Sequence, residues 1–195
     1  MSFVRLWFTA YYNPAKMMEQ LRSRPAPQWG FYGMILRAAL DSLLLYLPLA
    51  LVGRIPPLRS NLSFLPTEQY YWHLVWLSPI VLAAQWLLPA AFTHVVLRFT
   101  GRTSDFDQIL NIHGMTALIV GAFILGWDWT WVAVGGIDQY FLGFCHLVIS
   151  LWSVVLEAIG LKKILGVPIW LGAILSFLSI PIALPFSIMF MRSPL

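Results

Sequence analysis

Residues Gln139 to Leu161 read QYFLGFCHLVISLWSVVLEAIGL. The stretch is long enough to cross a bilayer as a helix, since about 20 apolar residues span the hydrocarbon. It is not uniformly apolar. His146, Ser150, Ser153 and Glu157 follow one another at spacings of four, three and four, which puts them on one helical face. Polar groups in hydrocarbon need partners, so this stripe must face other helices or a wet cavity rather than lipid. Two uses fit it. The serines can allow close packing while His146 bonds a neighbouring helix, or the stripe can be a functional polar site, as intramembrane ionisable groups often are.

The surrounding composition agrees with a bilayer setting. Of 195 residues, 59% are hydrophobic and only 10% charged, against about 25% charged in soluble domains. Ten tryptophans suit two interfacial belts. The formal charge is +4, but the basic residues are dispersed over loops, which speaks against nucleic-acid binding. Cys145 is the single cysteine, so neither an internal disulfide nor a cysteine metal cluster is expected. No cleavable signal is apparent at the start of the chain.

Outward from the central stretch, the same test finds four more spans. The five cover about 29–52, 74–97, 109–127, 139–161 and 169–190. Residues 1–27 come before them. Asn13 and Pro14 mark a helix start that runs to about Arg24. Met17, Met18 and Leu21 share one face of it, and with Phe3, Leu6, Trp7 and Phe8 they predict an amphipathic segment on the membrane surface that also caps the bundle. The fold expected is an all-α integral membrane protein, a five-helix bundle over 28–195 preceded by an amphipathic helix within 1–27.

Charge in the loops sets the expected orientation. Arg5, Lys16, Arg22, Arg24, Arg98, Arg102, Lys162 and Lys163 fall on one side, eight in all, and Arg54, Arg59 and Arg192 on the other. The positive-inside rule then places the N-terminus in the cytoplasm and the C-terminus outside.

Several other groups invite function. Arg37 and Asp41 lie four apart in the first span, where a mid-span charge costs about 2.5–3.5 kcal/mol. His94 ends the second span and His113 lies in the third. Together with Asp41 and the stripe from His146 to Glu157, these groups are expected to converge in one inward-facing cluster, with Arg37 pairing to Glu157, Asp41 or both. The competing expectation has Arg37 and Glu157 reaching the headgroups separately. In the loop RFTGRTSDFDQIL, Ser104 with Asp107 makes a capping box, and Asp105 and Asp107 suit the helix N-terminus. Arg98, Arg102, Asp105 and Asp107 are the expected partner-binding residues of that loop. Asp128, amid Trp127, Trp129 and Trp131, reads as part of an interfacial belt. Gly160, Lys162, Lys163 and Gly166 mark the end of the fourth span, and Pro181 and Pro185 bend or break the fifth. Asn61-Leu62-Ser63 matches a glycosylation triplet.

The opening Asn13-Pro14 helix, the second span ending His94-Val95-Val96-Leu97-Arg98-Phe99 with Gly101, Ser104, Phe106 and Gln108, the run Leu151-Trp152-Ser153-Val154-Val155-Leu156-Glu157, and Gly160-Leu161-Lys162 together resemble the Yip (Ypt-interacting protein) family in its short prokaryotic form. The resemblance implies five membrane helices, a cytoplasmic N-terminus and homo- or hetero-oligomers. Eukaryotic members are trafficking adaptors for Rab proteins; their Asp-Leu-Tyr-Gly-Pro type motif is absent here, so Rab-type GTPase binding is not carried over. The function expected is a non-enzymatic scaffold or adaptor in a bacterial inner membrane, bound to lipids and other membrane proteins, with no cofactor and no metal. The alternative is a small transporter or channel component using the polar cluster, with proline-broken helices. An enzyme is disfavoured because no HExxH, GxSxG or similar motif is present.

Overall fold

The computed structural model describes residues 2–56, 65–135 and 139–190, side chains at 139–140 and 187–190 excepted. Arg59, Arg192 and the triplet from Asn61 to Ser63 lie outside the described residues. Among the described residues every regular element is a helix: α1 (Phe3–Tyr12), α2 (Pro14–Arg22), α3 (Gln28–Asp41) continuing through a π-helical turn (Ser42–Tyr46) into α4 (Leu47–Leu51), then α5 (Tyr70–Phe99), α6 (Phe106–Ala133), α7 (Gln139–Leu165) and α8 (Ile169–Phe190). Five segments are long and apolar enough to cross a membrane, namely Gln28–Leu51, Thr67–Phe99, Phe106–Ala133, Phe141–Leu165 and Ile169–Phe186. They alternate in direction. One end of the bundle carries Arg98, Arg102, Lys162 and Lys163 and is called the basic end; the opposite end carries Trp127, Trp129 and Trp131 and is called the tryptophan end.

The α6 helix is the hub. Of its most apolar window 72% is buried, whereas α5, α7 and α8 bury 33% or less. The close approach of α3 explains this. Gly30 and Gly33 of α3 lie directly on the backbone of α6 at Leu110, Asn111 and Gly114. A Cβ on Gly114 would overlap the carbonyl of Gly30, and one on Gly33 would sit 2.7 Å from the carbonyl oxygen of Gly114. Small residues facing each other let helix axes approach in a way that larger side chains forbid.

Polar satisfaction follows from the same contact. Pro27 gives α3 no side-chain cap of its own. The Gly30 amide, one of the unpaired donors of the first turn, donates instead to Asn111 Oδ1 at 2.7 Å, and Asn111 is fully buried. Replacing Asn111 with leucine is expected to destabilise the bundle by about 1–3 kcal/mol, since it strands a buried donor. Denaturation in mixed micelles, compared with wild type, measures it.

The π-helical turn has a local cause. Pro48 has no N–H, so the Leu44 carbonyl loses its helical donor four residues on. Leu47 donates back to Ser42, five residues away, widening the turn. The indole Nε1–H of Trp129 donates to the stranded Leu44 carbonyl at 2.8 Å. Trp129 therefore fastens α6 to the π-helical turn as well as lying at the bundle's end.

Helix ends follow local signals with two differences from expectation. Asn13 caps α2, accepting from the Lys16 amide at 3.0 Å, with Pro14 in the first turn as expected. At α6 the capping side chain is Asp105, which accepts from the Gln108 amide at 3.2 Å, whereas Ser104 bonds elsewhere. The α7 helix runs through Gly160 to Leu165. Gly160 is not its end but a notch, where an added Cβ would lie 2.8 Å from Ile112 and 3.1 Å from Met18. The real stop is Gly166, whose φ of 71° suits a residue without a side chain. Pro181 and Pro185 do not break α8, which is helical throughout.

Residues 1–27 do not lie flat across the bundle. The α1 and α2 helices form a hairpin along its side. The Phe3 ring lies 5.5 Å from Trp29 near the basic end, while the Tyr11 hydroxyl donates to the Ile119 carbonyl at 3.0 Å. Ile119 is about 20 Å from the start of α6 at ~1.5 Å per residue, so the hairpin tip reaches midway along that helix. The α2 helix returns against α7, burying Met17, Met18 and Leu21 completely, and Glu19 pairs with Lys163. Of the apolar residues predicted to face a membrane surface, Leu6, Met17, Met18 and Leu21 are buried in the bundle, whereas Phe8 is 57% exposed.

Candidate functional site

The α7 stripe faces α6, and its two ionisable ends each meet a partner there. His146 Nε2 lies 2.6 Å from Asp128 Oδ1 toward the tryptophan end. Glu157 Oε1 lies 3.1 Å from His113 Nδ1 toward the basic end. Antiparallel helices explain both contacts at once: moving up α6 from His113 to Asp128 corresponds to moving back along α7 from Glu157 to His146. Between the two pairs Ser153 Oγ donates to the Ser150 carbonyl at 2.6 Å, and both serines are half-buried.

A third pair lies on α3. Arg37 Nη2 is 2.8 Å from Asp41 Oδ2, and both side chains are buried. Gly121 makes this possible: the guanidinium rests directly on its Cα, in space any side chain would fill. Arg37 therefore enters between α3 and α6 instead of turning away to a bundle end. Of the two expected partners it takes Asp41, and Glu157 goes to His113. The groups thus divide into three pairs, His113–Glu157, Asp128–His146 and Arg37–Asp41, and do not converge in one cluster of direct contacts.

His94 belongs to neither. Its Nδ1 lies 2.8 Å from Ser104 Oγ and its ring meets Phe106 edge-on at 5.4 Å, so it ties the end of α5 to the following loop. In that loop Arg98, Arg102, Asp105 and Asp107 are exposed. Phe99 stands between the two arginines' turns with 88% of its surface exposed.

Asp128 is the residue the sequence hid. The surrounding tryptophans suggested an interfacial belt, yet it is 3% exposed. One signal pointed to it: an acid near the C-terminal end of a helix opposes the helix dipole and needs a cation nearby. Asn111 and Gly121, which hold α3 in place, carried no such signal.

The chemistry open to these groups is proton exchange and charge pairing. Buried ions are costly unless paired, and each histidine–carboxylate pair can be neutral or internally zwitterionic while sharing one proton. Among the described residues no three histidines, cysteines or acids are grouped to hold a metal ion. No family model, curated protein or solved structure matches this chain.

Proposed function

We propose that this chain is a five-span integral membrane protein of a bacterial inner membrane, with its N-terminus in the cytoplasm, acting as a non-enzymatic scaffold or adaptor of the Yip type. Five apolar helices and the excess of basic residues at one end support the membrane setting and the orientation. The observation carrying the adaptor role is the α5–α6 loop. Phe99, 88% exposed, is flanked by exposed Arg98 and Arg102, with exposed Asp105 and Asp107 beside them. A large aromatic between cations at a helix end suits a partner protein's surface at the headgroup level.

The hairpin is the less informative target, because Leu6, Met17, Met18 and Leu21 are buried in the bundle even though Val4, Phe8 and Tyr12 are exposed. Deleting it would damage the fold instead of testing an interaction. The informative variant is Phe99→Ala with Arg98→Ala. Purification in mild detergent should recover discrete membrane-protein partners with wild type and lose them with this double variant at equal yield. Partners recovered equally with both proteins, or none with wild type, would count against the adaptor role. A transporter is the second reading, favoured by the ion pairs held at separate levels along α6.

A further inference from the structure

The α1 helix has no polar face. Leu6, Thr9 and Ala10 are buried against the bundle, and the opposite side presents Val4, Phe8 and Tyr12, which are 56%, 57% and 75% exposed. These three follow one another at intervals of four, so they form one outward stripe. A helix that is apolar all round belongs in a core or in lipid, not at a boundary with water. Arg5 is the only charged residue of α1 and lies in its first turn, at the basic end.

The polar atoms of α1 are turned onto the protein. Trp7 Nε1–H donates to the Tyr11 hydroxyl at 3.1 Å, and that hydroxyl donates to the Ile119 carbonyl at 3.0 Å. The Tyr12 hydroxyl lies 3.3 Å from Thr9 Oγ1, which donates to the Arg5 carbonyl at 2.7 Å. Every polar side chain of α1 except Arg5 thus has a partner within the chain. Groups beside hydrocarbon require this, whereas groups beside water do not.

The neighbouring helices fix the depth. Trp170, exposed at the start of α8, marks the interface at the basic end. A Cβ on Gly172 would lie 3.2 Å from the Ala158 Cα, so Trp170 is level with Gly160 on the antiparallel α7. The Tyr11 ring lies 5.8 Å from that of Trp152. Trp152 precedes Gly160 by two helical turns, which places it about 12 Å deeper. Ring contacts carry the outer surface from a span onto the hairpin: Phe123 of α6 meets Trp152 at 6.2 Å, and Tyr11 meets Phe8 at 6.4 Å. Phe123 is exposed within the third span, so the medium around it is the medium around Phe8. The α2 helix limits the insertion. Met18 meets Gly160, and Glu19 pairs with Lys163 on the headgroup side of that level, with Arg22 a turn further out. Lys16 alone falls below it, and its stem is long enough to return.

We infer that α1 and α2 form a hairpin inserted part-way into the basic-end leaflet, with Val4, Phe8 and Tyr12 against lipid acyl chains and the charges of α2 at the headgroups. This seating presupposes the membrane setting proposed above and is independent of the partner surface on the α5–α6 loop.

The test uses nitroxide labels on single cysteines in Cys145→Ala protein, reconstituted in vesicles of phosphatidylethanolamine and phosphatidylglycerol. Collisions with oxygen, which concentrates in hydrocarbon, are compared with collisions with a water-soluble nickel chelate. Val4→Cys and Phe8→Cys are the two independent probes of the stripe; Phe123→Cys is the reference for lipid and Arg102→Cys the reference for water. The oxygen-to-nickel ratio at Phe8→Cys should match that at Phe123→Cys and exceed that at Arg102→Cys. Val4→Cys, nearer the basic end, should fall between Arg102→Cys and Phe8→Cys. Nickel-favoured collisions at both stripe positions, with Phe123→Cys still favouring oxygen, would place the hairpin in water and overturn the inference. Labels at both positions that neither reagent reaches would mean that a second copy covers the stripe, which also overturns it. Nickel-favoured collisions at Phe123→Cys would instead contradict the membrane setting itself, and the hairpin's seating with it.

Discussion

Leucine at Gly114 abolishes the native bundle. The first atom of the new side chain overlaps the Gly30 carbonyl, and the obstruction is backbone on both sides, so no rotamer change relieves it. Over-packing in a core ordinarily costs about 1–3 kcal/mol. Here α3 must also move off α6, which removes the Gly30–Asn111 bond and lifts Arg37 from Gly121. The expected loss exceeds about 4 kcal/mol, a size reached only when a named structural feature is destroyed. Gly126 lies on the same helix with open space around it. Gly126→Ala should therefore cost nothing or stabilise slightly, because glycine inside a helix is about 1 kcal/mol worse than alanine. The comparison is made by denaturant unfolding in mixed micelles. Equal, small effects at Gly114 and Gly126 would mean that α3 and α6 are not in contact.

Removing one member of the Arg37–Asp41 pair is the second large effect. Asp41→Ala leaves a guanidinium buried against Gly121 with no counter-ion in contact, and breaking a buried pair in this way costs about 3–5 kcal/mol. Arg37→Met together with Asp41→Leu removes both charges and keeps apolar volume. That double variant should recover most of the loss, since apolar replacement of a whole buried pair is often neutral or stabilising. If the double variant is as damaged as Asp41→Ala, the side chains act through shape and not through charge. If Asp41→Ala is harmless, Arg37 escapes to a bundle end, as long basic side chains do when a helix terminus is within reach.

The helices were plain in the sequence because apolar runs and 3.6-residue spacing are properties of one segment at a time. The stripe from His146 to Glu157 could be seen for the same reason, and both of its ends do face α6. Which residue each end meets depends on how two helices align, and no single segment encodes that. Arg37 had two acids within plausible reach by depth alone; the deciding feature was the bare backbone of Gly121, on another helix. The hairpin shows the same limit. The apolar face of Met17, Met18 and Leu21 suits a membrane surface and a groove beside α7 equally well, and only Gly160 and Ile112 of the bundle distinguish the two. Asp128 stayed hidden because its tryptophan neighbours supplied a complete explanation that did not need it.

Side-specific labelling of single cysteines tests the five-crossing arrangement most directly. With Cys145 replaced by alanine, cysteines are placed at Arg102 and Lys162 at the basic end and at Val134 at the tryptophan end, all exposed positions. A membrane-impermeant thiol reagent applied to sealed, right-side-out vesicles should label Val134→Cys and leave Arg102→Cys and Lys162→Cys untouched until the membrane is opened. Labelling of Val134→Cys and Arg102→Cys from the same side would contradict the arrangement, because α6 would then not cross.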